Sequence, residues 1–416
     1  MTAPCRLRLA AQPGKIALLL PSLAAGGVGR SVLHLAAGFR EAGYAVDLVL
    51  CKAEGPYLAS VPAGVNVVAL EREASLAARA RLLRLDPRRA GALARPALLA
   101  WRPSPVQPYL ADLARYLDRA RPGVLLAAKT PTNLLALWAR RLSTAATRVV
   151  VAEHTLLSKS IAQTGKWRWR YIAPVVSRAY AEADAIVCVS EGVADDLART
   201  AKLPRSRMAR IYNPVVPPEL ASRTAETPPH PWLETGAGPP VVLAAGRLVP
   251  EKNFPLLLRS FARVRAERPA RLIILGEGRE RARLQALVGE LGIGASVALA
   301  GHVANPYAAY ARASLFVLSS DWEGLSMVLI EALACGCPVV STDCPSGPAE
   351  ILMGGRYGKL VPVADVEALA MAMARTLDEP LPAETLRRRA EDFSRERSVR
   401  DYLALLERMP QRATAG

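Results

Sequence analysis

The sequence predicts an α/β protein of two domains, because short apolar runs of strand length alternate with helical patterns in both halves of the chain. The length of 416 residues is large for one domain and suits two domains. Between the halves lies a segment rich in proline, threonine and glycine, 214–240, of the kind that links domains. We therefore expect two α/β domains joined by this segment.

The first half opens with a strand, a glycine-rich turn and a helix. The strand is KIALLL (15–20), and the turn PSLAAGGVGR (21–30) leads into a helical pattern that stops at Gly43. This order of elements opens a βαβ unit, and the first loop of such a unit is the position where phosphate-binding loops occur. The turn matches neither a dinucleotide fingerprint nor a Walker sequence. A tight turn and contact with a ligand therefore explain its glycines equally well.

Two further strands are predicted at 123–128 and 148–154, and the second ends in Glu153 and His154. A histidine at the carboxyl end of a strand is well placed to bind a ligand or to move a proton. A buried histidine with a purely structural role is the ordinary alternative. The local sequence favours neither explanation.

The positive charge of the chain is concentrated in its first half. The formal net charge is +17; residues 1–200 hold 27 Lys and Arg against 14 Asp and Glu, and residues 201–416 hold 27 against 23. Ten arginines lie between Arg79 and Arg121, and the segment WRWRY follows at 167–171. Such segments favour a helix on an anionic membrane surface, although a solvated helical face is the simpler alternative. No nucleic-acid-binding motif is present, and no nucleic acid partner is predicted.

Hydropathy and cysteine spacing predict a cytoplasmic protein. No uninterrupted run of about 18 apolar residues occurs, so no membrane-spanning helix is expected. Six cysteines are scattered without the spacing of a zinc site, and we expect them to be reduced and structural. Together with the basic segments, this predicts a peripheral position on the inner face of the cytoplasmic membrane.

The stretch EGLSMVLIEALACGCP (323–338) is the strongest candidate site. Its helix is predicted to begin after the N-cap Ser326 and to stop at Gly336. The strand FVLSS precedes it, so the loop between them lies at the carboxyl end of a parallel strand, where α/β proteins bind ligands. The backbone amides of Gly324, Leu325 and Ser326 would lie at the positive end of the helix and suit a phosphate.

Charged residues flank this predicted phosphate site. Glu331 lies about five residues beyond the N-cap, roughly 7–8 Å along the axis, which is about the distance from a phosphate to a ribose diol. Glu323 could bind the hydroxyls of a second polyol. Arg247 and Lys252 follow the first strand of the second half and would face the same crevice, where two cations hold a diphosphate. The set fits a nucleotide sugar. A helical glutamate is more often solvated, but Glu331 lies among apolar residues.

Four motifs resemble the family 4 retaining glycosyltransferases of the GT-B fold. They are GGVGR (26–30), GRLVPEKNFPLLLRSFA (246–262), LGEGRERARLQAL (275–287) and SSDWEGLSMVLIEALACGCPVVSTDCPSGPAEIL (319–352). The resemblance covers nearly all of residues 15–409 in order, and the motifs of the second half are specific when taken together.

The resemblance implies an α/β protein of the GT-B class, with two Rossmann-like doubly wound domains that face a cleft. The first domain, 1–215, would bind the acceptor, and 216–240 would be the linker. The second domain, 241–392, would bind the nucleotide sugar. The final segment, 393–416, would cross back to the first domain as a helix.

The resemblance also implies a role for each candidate residue. Arg247 and Lys252 would bind the pyrophosphate and neutralise the departing charge, and Glu331 would bind the ribose. Glu323, with the amides of Gly324, Leu325 and Ser326, would hold the donor sugar and the phosphate. Four further positions complete the implied site, namely Gly26 and Gly27 at the diphosphate, His154 near the transferred sugar and the acceptor, and Val303 beside the base.

The implied activity is sugar transfer from a nucleotide sugar with retention of anomeric configuration. The variant CPSGPAEIL (344–352) resembles members that use UDP-sugars to build surface polysaccharides or lipid-linked glycans, so the expected acceptor is a glycan or a lipid-linked glycan. Because no Asp-x-Asp motif is present, the positive charge must come from Arg247, Lys252 and the helix terminus, and we predict metal independence and no cofactor. The alternatives are a GT-B-type nucleotide-sugar epimerase and a non-catalytic basic membrane-binding protein; the latter does not explain the second-half site.

Overall fold

The computed structural model describes residues 14–24, 26–74, 77, 106–163, 172–234 and 238–410. The chain divides into two compact units. The first comprises Met1–Cys188, Ala194–Ile211 and Val399–Gly416, and the second comprises Val189–Val193 and Tyr212–Ser398. Each unit has its own parallel sheet and hydrophobic core, which confirms the predicted α/β class.

A seven-stranded sheet organises the described part of the first unit. Its strands are β1 (Lys15–Leu20), β2 (Ala45–Leu50), β3 (Asn66–Ala69), β4 (Val124–Ala128), β5 (Arg148–Glu153), β6 (Ala185–Cys188) and β7 (Met208–Arg210). Their order across the sheet is β3-β2-β1-β4-β5-β6-β7, and all neighbours are parallel. The central strands β1, β4 and β5 are almost wholly apolar because helices cover both faces of such a sheet.

Helices accompany the strands of this unit, and several of them bury apolar residues. They are α1 (Gly27–Glu41), α2 (Leu110–Ala120), α3 (Thr130–Leu142), α4 (Leu157–Gln163), α5 (Ile172–Tyr180) and α6 (Glu191–Ala201). The final helix of the chain also contributes to this core, through Val399, Tyr402, Leu406 and Met409. The ring of Tyr402 meets that of Phe39 on α1 edge-on, with 6.2 Å between centroids. A helix at the end of the chain therefore completes the core of the first unit.

A six-stranded parallel sheet organises the described part of the second unit. Its strands are β8 (Val241–Ala245), β9 (Arg271–Leu275), β10 (Val297–Gly301), β11 (Leu315–Leu318), β12 (Val339–Thr342) and β13 (Lys359–Val361), in the order β10-β9-β8-β11-β12-β13. The strands β8 and β11 are neighbours although they are far apart in sequence. The loops that follow them therefore meet at the carboxyl edge of the sheet, at the point where the strand order reverses.

Helices of the second unit enclose a core that includes Phe254, Phe261, Leu315 and Met373. They are α7 (Leu220–Ala225), α8 (Phe254–Glu267), α9 (Arg281–Glu290), α10 (Tyr307–Tyr310), α11 (Met327–Ala334), α12 (Pro348–Ile351), α13 (Val366–Asp378) and α14 (Ala383–Ala390), followed by α15 (Arg395–Arg408), which continues into the first unit. The predicted helix of 326–336 is confirmed as α11, which ends before Gly336, a residue with a φ of 77°.

Some predicted segments lie partly or wholly outside the described residues. Most of the arginine-rich stretch 79–121 and the segment 167–171 belong to this group. The predicted linker, 216–240, carries α7 where it is described and belongs to the second unit. Among the described residues, no helix is long and apolar enough to cross a membrane.

Candidate functional site

Two loops at the carboxyl edge of the second sheet are joined by hydrogen bonds. The amide of Asp321, after β11, donates to the carbonyl of Glu251, after β8, over 2.9 Å. The hydroxyl of Ser319 donates to the carbonyl of Lys252 over 2.9 Å, and Asn253 Nδ2 donates to Asp321 Oδ1 over 2.7 Å. These bonds fix the backbone on both sides of Lys252, so its side chain has a defined direction.

Lys252 and Glu323 form a close ion pair. Lys252 Nζ lies 2.6 Å from Glu323 Oε1, and their side chains are only 17% and 10% exposed. The hydroxyl of Ser320 donates to the same carboxylate oxygen over 2.8 Å. A partly buried carboxylate that accepts two hydrogen bonds is held in one orientation. The sequence does not indicate Ser320 as a partner of Glu323.

The N-terminus of α11 begins directly after Glu323. Ser326 occupies the N-cap position, as predicted, although its side chain makes no capping hydrogen bond. Ser326 adopts an extended conformation, and its buried hydroxyl has no partner among the described residues. Within the same residues, the amides of Gly324, Leu325 and Ser326 make no backbone hydrogen bond. This helix end therefore keeps donors that an anion can bind.

A second turn supports the loop from behind. The amide of Glu323 donates to the carbonyl of Pro345 over 3.3 Å, and the hydroxyl of Ser346 donates to the carbonyl of Gly324 over 2.9 Å. Gly347 has a φ of 93°, and a Cβ at this position would lie 3.4 Å from the carbonyl oxygen of Gly324. The segment 345–347 thus fixes the backbone from which the amides of the α11 terminus point.

Glu331 lies inside the second unit rather than on a solvated face of α11. It is 1% exposed, and the hydroxyl of Tyr310 donates to its Oε2 over 3.2 Å. The ring of Tyr310 packs against Phe316 on β11, with 5.5 Å between centroids. Tyr310 therefore orients this carboxylate, a role that the sequence did not reveal because the two residues lie on different helices.

The other two candidates of the second unit lie in more open positions. Arg247 is 67% exposed, and its guanidinium lies 3.6 Å from Glu251 Oε1 rather than beside Glu323. Val303 is partly buried and follows the exposed His302 after β10. The structure therefore brings Lys252 and Glu323 together and leaves Arg247 at the surface, paired with Glu251.

Three candidates belong to the first unit. Gly26 precedes α1 with a φ of 143°, a conformation that other residues rarely adopt, and among the described residues beyond its chain neighbours no atom lies within 4 Å of a Cβ built on it. Gly27 is the first residue of α1. His154 directly follows β5 and is 7% exposed. The backbone conformation thus requires glycine at position 26, and open space adjoins it.

Glu153, the residue before His154, is the centre of a buried hydrogen-bond network. Glu153 accepts hydrogen bonds from Thr130 Oγ1 over 3.1 Å, from Asn133 Nδ2 over 3.2 Å and from the hydroxyl of Tyr180. Burial raises the pKa of Glu153 to about 7, against the lowering effect of these hydrogen bonds. The sequence indicates a functional role only for His154 here, because the partners of Glu153 come from two distant helices, α3 and α5.

Five cysteines of the described residues are buried and form no disulfide, namely those at 51, 188, 335, 337 and 344. Burial raises the pKa of Cys51, Cys335 and Cys344 to about 12, which disfavours their reactive thiolate form. Within the described ranges, no group of three or more His, Cys, Asp or Glu side chains is arranged to hold a metal ion.

Both halves of the chain match models of known protein families. Residues 25–217 match Glycosyltransferase Family 4, and residues 233–397 match Glycosyl transferases group 1. The chain belongs to the family 4, group 1 glycosyltransferases. The first match lies mostly in the first unit, and the second lies within the second unit and includes Lys252, Glu323 and Glu331.

Two relatives illustrate the activities for which proteins similar to this glycosyltransferase are named. One is N-acetylgalactosamine-N,N'-diacetylbacillosaminyl-diphospho-undecaprenol 4-alpha-N-acetylgalactosaminyltransferase of Campylobacter jejuni, 31% identical over 56% of this chain and 62% of the relative. The other is the lipopolysaccharide core biosynthesis glycosyltransferase LpsE of Rhizobium meliloti, 32% identical over 55% of this chain and 65% of the relative. Each alignment thus spans slightly less than two thirds of the relative.

Solved structures of similar architecture support the fold of this family 4 member. The Anabaena protein HepE, in complex with UDP and glucose, matches with a TM-score of 0.74 over 95% of this chain and 99% of its own, at 17% sequence identity. The likeness extends through both units, and the chain has the GT-B fold. The fold class that the motifs implied is confirmed.

Proposed function

We propose that this family 4 member is a glycosyltransferase that moves a sugar from a nucleotide-sugar donor to a glycan or a lipid-linked glycan. The observation that carries the proposal is the Lys252–Glu323 pair at the N-terminus of α11, with the amides of Gly324, Leu325 and Ser326 beside it. A cation, helix amides and a fixed carboxylate within one loop suit a phosphate that is attached to a sugar.

The chemistry of transfer explains why a cation is placed there. When the bond between the sugar and the diphosphate breaks, negative charge develops on the departing nucleoside diphosphate. Lys252 and the positive end of α11 lie together at this loop, and they would stabilise this charge. Arg247 is long and exposed, and we propose that it turns from Glu251 to the pyrophosphate when the donor binds.

The two buried glutamates would bind the hydroxyl groups of the donor. Glu323 is held by Lys252 and Ser320, and we assign it to the transferred sugar. Glu331 is held by Tyr310, and we assign it to the ribose diol. A carboxylate accepts two hydroxyl hydrogens, so each glutamate can bind one diol. Val303 would lie beside the base.

The finer assignments rest on relatives and on the resemblance of the motifs. UDP is the proposed nucleotide, a choice supported by the UDP that HepE binds in its crystal structure. Retention of configuration would follow front-face attack, in which the leaving phosphate helps to deprotonate the acceptor. Metal independence stays a prediction, with Lys252 and the helix terminus as the positive charge. From the first unit, we assign Gly26 and Gly27 to the diphosphate and His154 to the sugar and acceptor.

We propose a lipid-linked acceptor and a peripheral position on the membrane. The Campylobacter relative is named for a diphospho-undecaprenol substrate, which supports an acceptor of this class. The arginine-rich stretch 79–121, most of which lies outside the described residues, would attract anionic lipid headgroups.

A transfer assay tests the proposal. The purified protein is incubated with a panel of UDP-, GDP- and ADP-sugars and with polyprenyl-diphosphate-linked glycans, in the presence and absence of EDTA, and products are identified by mass spectrometry and NMR. We expect one UDP-sugar to yield an α-linked product that forms equally well with EDTA. Isomerisation of a nucleotide sugar without an acceptor would instead identify an epimerase. No product and no isomerisation with any donor would contradict enzymatic activity on nucleotide sugars.

A further inference from the structure

The hydrogen bonds around Glu153 are arranged for an ionised carboxylate. Thr130, Asn133 and Tyr180 present O–H or N–H groups to its two oxygens. A protonated carboxyl group would have to donate a hydrogen itself. The hydroxyls of Thr130 and Tyr180 can turn to accept it, but the amide nitrogen of Asn133 cannot. The network therefore has one arrangement when Glu153 is ionised and another when it is protonated.

The same network holds the main chain that leads to His154. Asn133 Nδ2 donates to the carbonyl of Ala152 over 3.0 Å and lies 2.8 Å from the hydroxyl of Tyr180, and the amide of Lys129 also donates to that carbonyl, over 3.2 Å. Ala152 and Glu153 are the last two residues of β5, and His154 comes next. A rearrangement of the network therefore acts on the strand end that carries the histidine.

Ionisable groups lie near Glu153 on three elements, and they act on its charge in opposite directions, since Asp196 raises its pKa and the hydrogen bond from Tyr180 lowers it. On α6, Asp196 is buried and raises the pKa of Glu153, although Asp196 is itself paired with Arg199 at 3.1 Å. On β6, the buried Cys188 is the register partner of Glu153. On α5, burial and the adjacent Glu153 raise the pKa of Tyr180. Next to these groups, β4 presents the apolar Ala128, and Lys129, which precedes α3, is exposed.

We propose that Glu153 is a positioning residue for His154, and that its ionised form sets the arrangement in which His154 supports transfer. The inference rests on the proposed function, because His154 can support transfer only in a transferase. It adds a residue that the family motifs do not include. The hydrogen-bond donors around Glu153 stabilise its ionised carboxylate, so transfer activity should rise as Glu153 loses its proton.

The substitution Glu153→Gln tests this directly, because it keeps the size of the side chain and removes its ionisation. We expect the wild-type kcat to rise with pH through an apparent pKa of about 7, the value to which burial raises the pKa of Glu153. In the variant this rise disappears, and kcat at pH 8 falls about tenfold, as expected for one lost charge-assisted hydrogen bond. The KM for the donor should stay within about twofold, because Lys252 and Glu331, which we assign to the donor phosphate and ribose, lie in the second unit, and Gly26 and Gly27 lie on a different loop from Glu153.

A matched control comes from another buried carboxylate of the same sheet. Asp47 on β2 is 4% exposed and accepts hydrogen bonds from the hydroxyl of Tyr116 over 2.7 Å and from Asn66 Nδ2 over 3.1 Å. The substitution Asp47→Asn likewise replaces a buried carboxylate by its amide, away from His154, and it also removes an ion pair with Lys15 at 3.2 Å. We expect it to lower thermal stability and to leave the pH profile of kcat unchanged.

A second readout does not depend on activity. The chain has four histidines, and the imidazole C2–H resonance of His154 can be assigned by comparison with His154→Gln. We expect Glu153→Gln to shift this resonance and to change its titration, and Asp47→Asn to do neither. If Glu153→Gln does not fold, Tyr180→Phe serves in its place. It removes a donor to the carboxylate and should move the pH-dependent rise in kcat to higher pH.

The outcomes separate the two proposals. If the wild type transfers no sugar from any donor, the proposed function fails; a shifted His154 resonance in Glu153→Gln would still support the positioning of His154 by Glu153. If the wild type is active and the Glu153→Gln variant keeps both the wild-type pH profile and the wild-type His154 resonance, the role of Glu153 is overturned. A change of pH profile in Asp47→Asn equal to that in Glu153→Gln would also overturn it.

Discussion

Lys252 Nζ lies 2.6 Å from Glu323 Oε1, although the two residues are 71 positions apart in sequence. They meet because their loops follow the neighbouring strands β8 and β11. In this pair the lysine is already directed toward the start of α11, and its charge is compensated by a carboxylate. A diphosphate that binds there would compete with Glu323 for the ammonium group. The site is thus prepared for an anion before any ligand arrives.

The substitution Lys252→Ala should lower kcat by about 10²- to 10³-fold, because it removes a fixed cation from the place where charge develops on the leaving group. Steady-state kinetics with the best UDP-sugar measures this. The control is Arg263→Ala, since Arg263 pairs with Glu367 at 3.0 Å on an exposed surface, where ion pairs contribute little. Wild-type turnover in Lys252→Ala would contradict the assignment of Lys252.

The substitution Glu331→Ala should raise the donor KM by about 10- to 100-fold, because a carboxylate that binds two hydroxyls loses charge-assisted hydrogen bonds. Tyr310→Phe should have a smaller effect in the same direction, since it removes only the hydroxyl that orients Glu331 over 3.2 Å. Isothermal titration measures the affinity of the wild type and of both variants for UDP, which contains the ribose, and for uracil, which lacks it. If both variants bind UDP as the wild type does, Glu331 does not contact the ribose.

Glu153 should make folding stability depend on pH. Burial raises its pKa from an ordinary 4.5 to about 7, so between these values the folded chain keeps a proton that the unfolded chain releases. The free energy of unfolding should therefore fall as pH rises from about 4.5 to 7, by on the order of 3 kcal/mol from this group. Urea denaturation of the wild type and of Glu153→Gln at pH 5, 6, 7 and 8 isolates this contribution. A stability difference between the two proteins that does not change with pH would contradict it.

Replacing arginines within 79–121 should weaken binding to anionic vesicles more than turnover of a soluble acceptor. Each basic residue near an anionic surface contributes about 1 kcal/mol. The substitution of Arg81, Arg84 and Arg88 by Gln is compared with the same change at Arg263, Arg283 and Arg388, which are exposed in the second unit. Co-sedimentation with anionic and with neutral vesicles measures the difference. Equal vesicle binding by both triple variants would refute a membrane role for the stretch.

The sequence was sufficient to predict the strands and helices with strong patterns. β1, β4, β5 and α11 are long or strongly apolar, and their burial on a parallel sheet produces patterns that can be recognised locally. The edge strands β3, β7 and β13 were not predicted. They have only three or four residues, and their positions in the sheet depend on the neighbouring strands rather than on their own composition.

The sequence predicts which loops form the candidate site, but it does not predict the hydrogen bonds within the site. Lys252 and Glu323 could be placed at the same edge because both follow buried strands. The orienting partners Ser320 and Tyr310 depend on side-chain packing between distant elements, which periodicity does not encode. Ser326 illustrates the same limit, since the residue type predicts a capping bond that its side chain does not make.

Thermal unfolding of the purified protein with UDP, with and without EDTA, tests the central claim that the second unit binds a nucleoside diphosphate at Lys252 and the N-terminus of α11. A ligand at 100 times its dissociation constant adds about 2.7 kcal/mol of stability. We expect UDP to raise the Tm of the wild type equally with and without EDTA, and to raise that of Lys252→Ala much less. An unchanged Tm of the wild type at millimolar UDP, or an equal shift in Lys252→Ala, would contradict the claim.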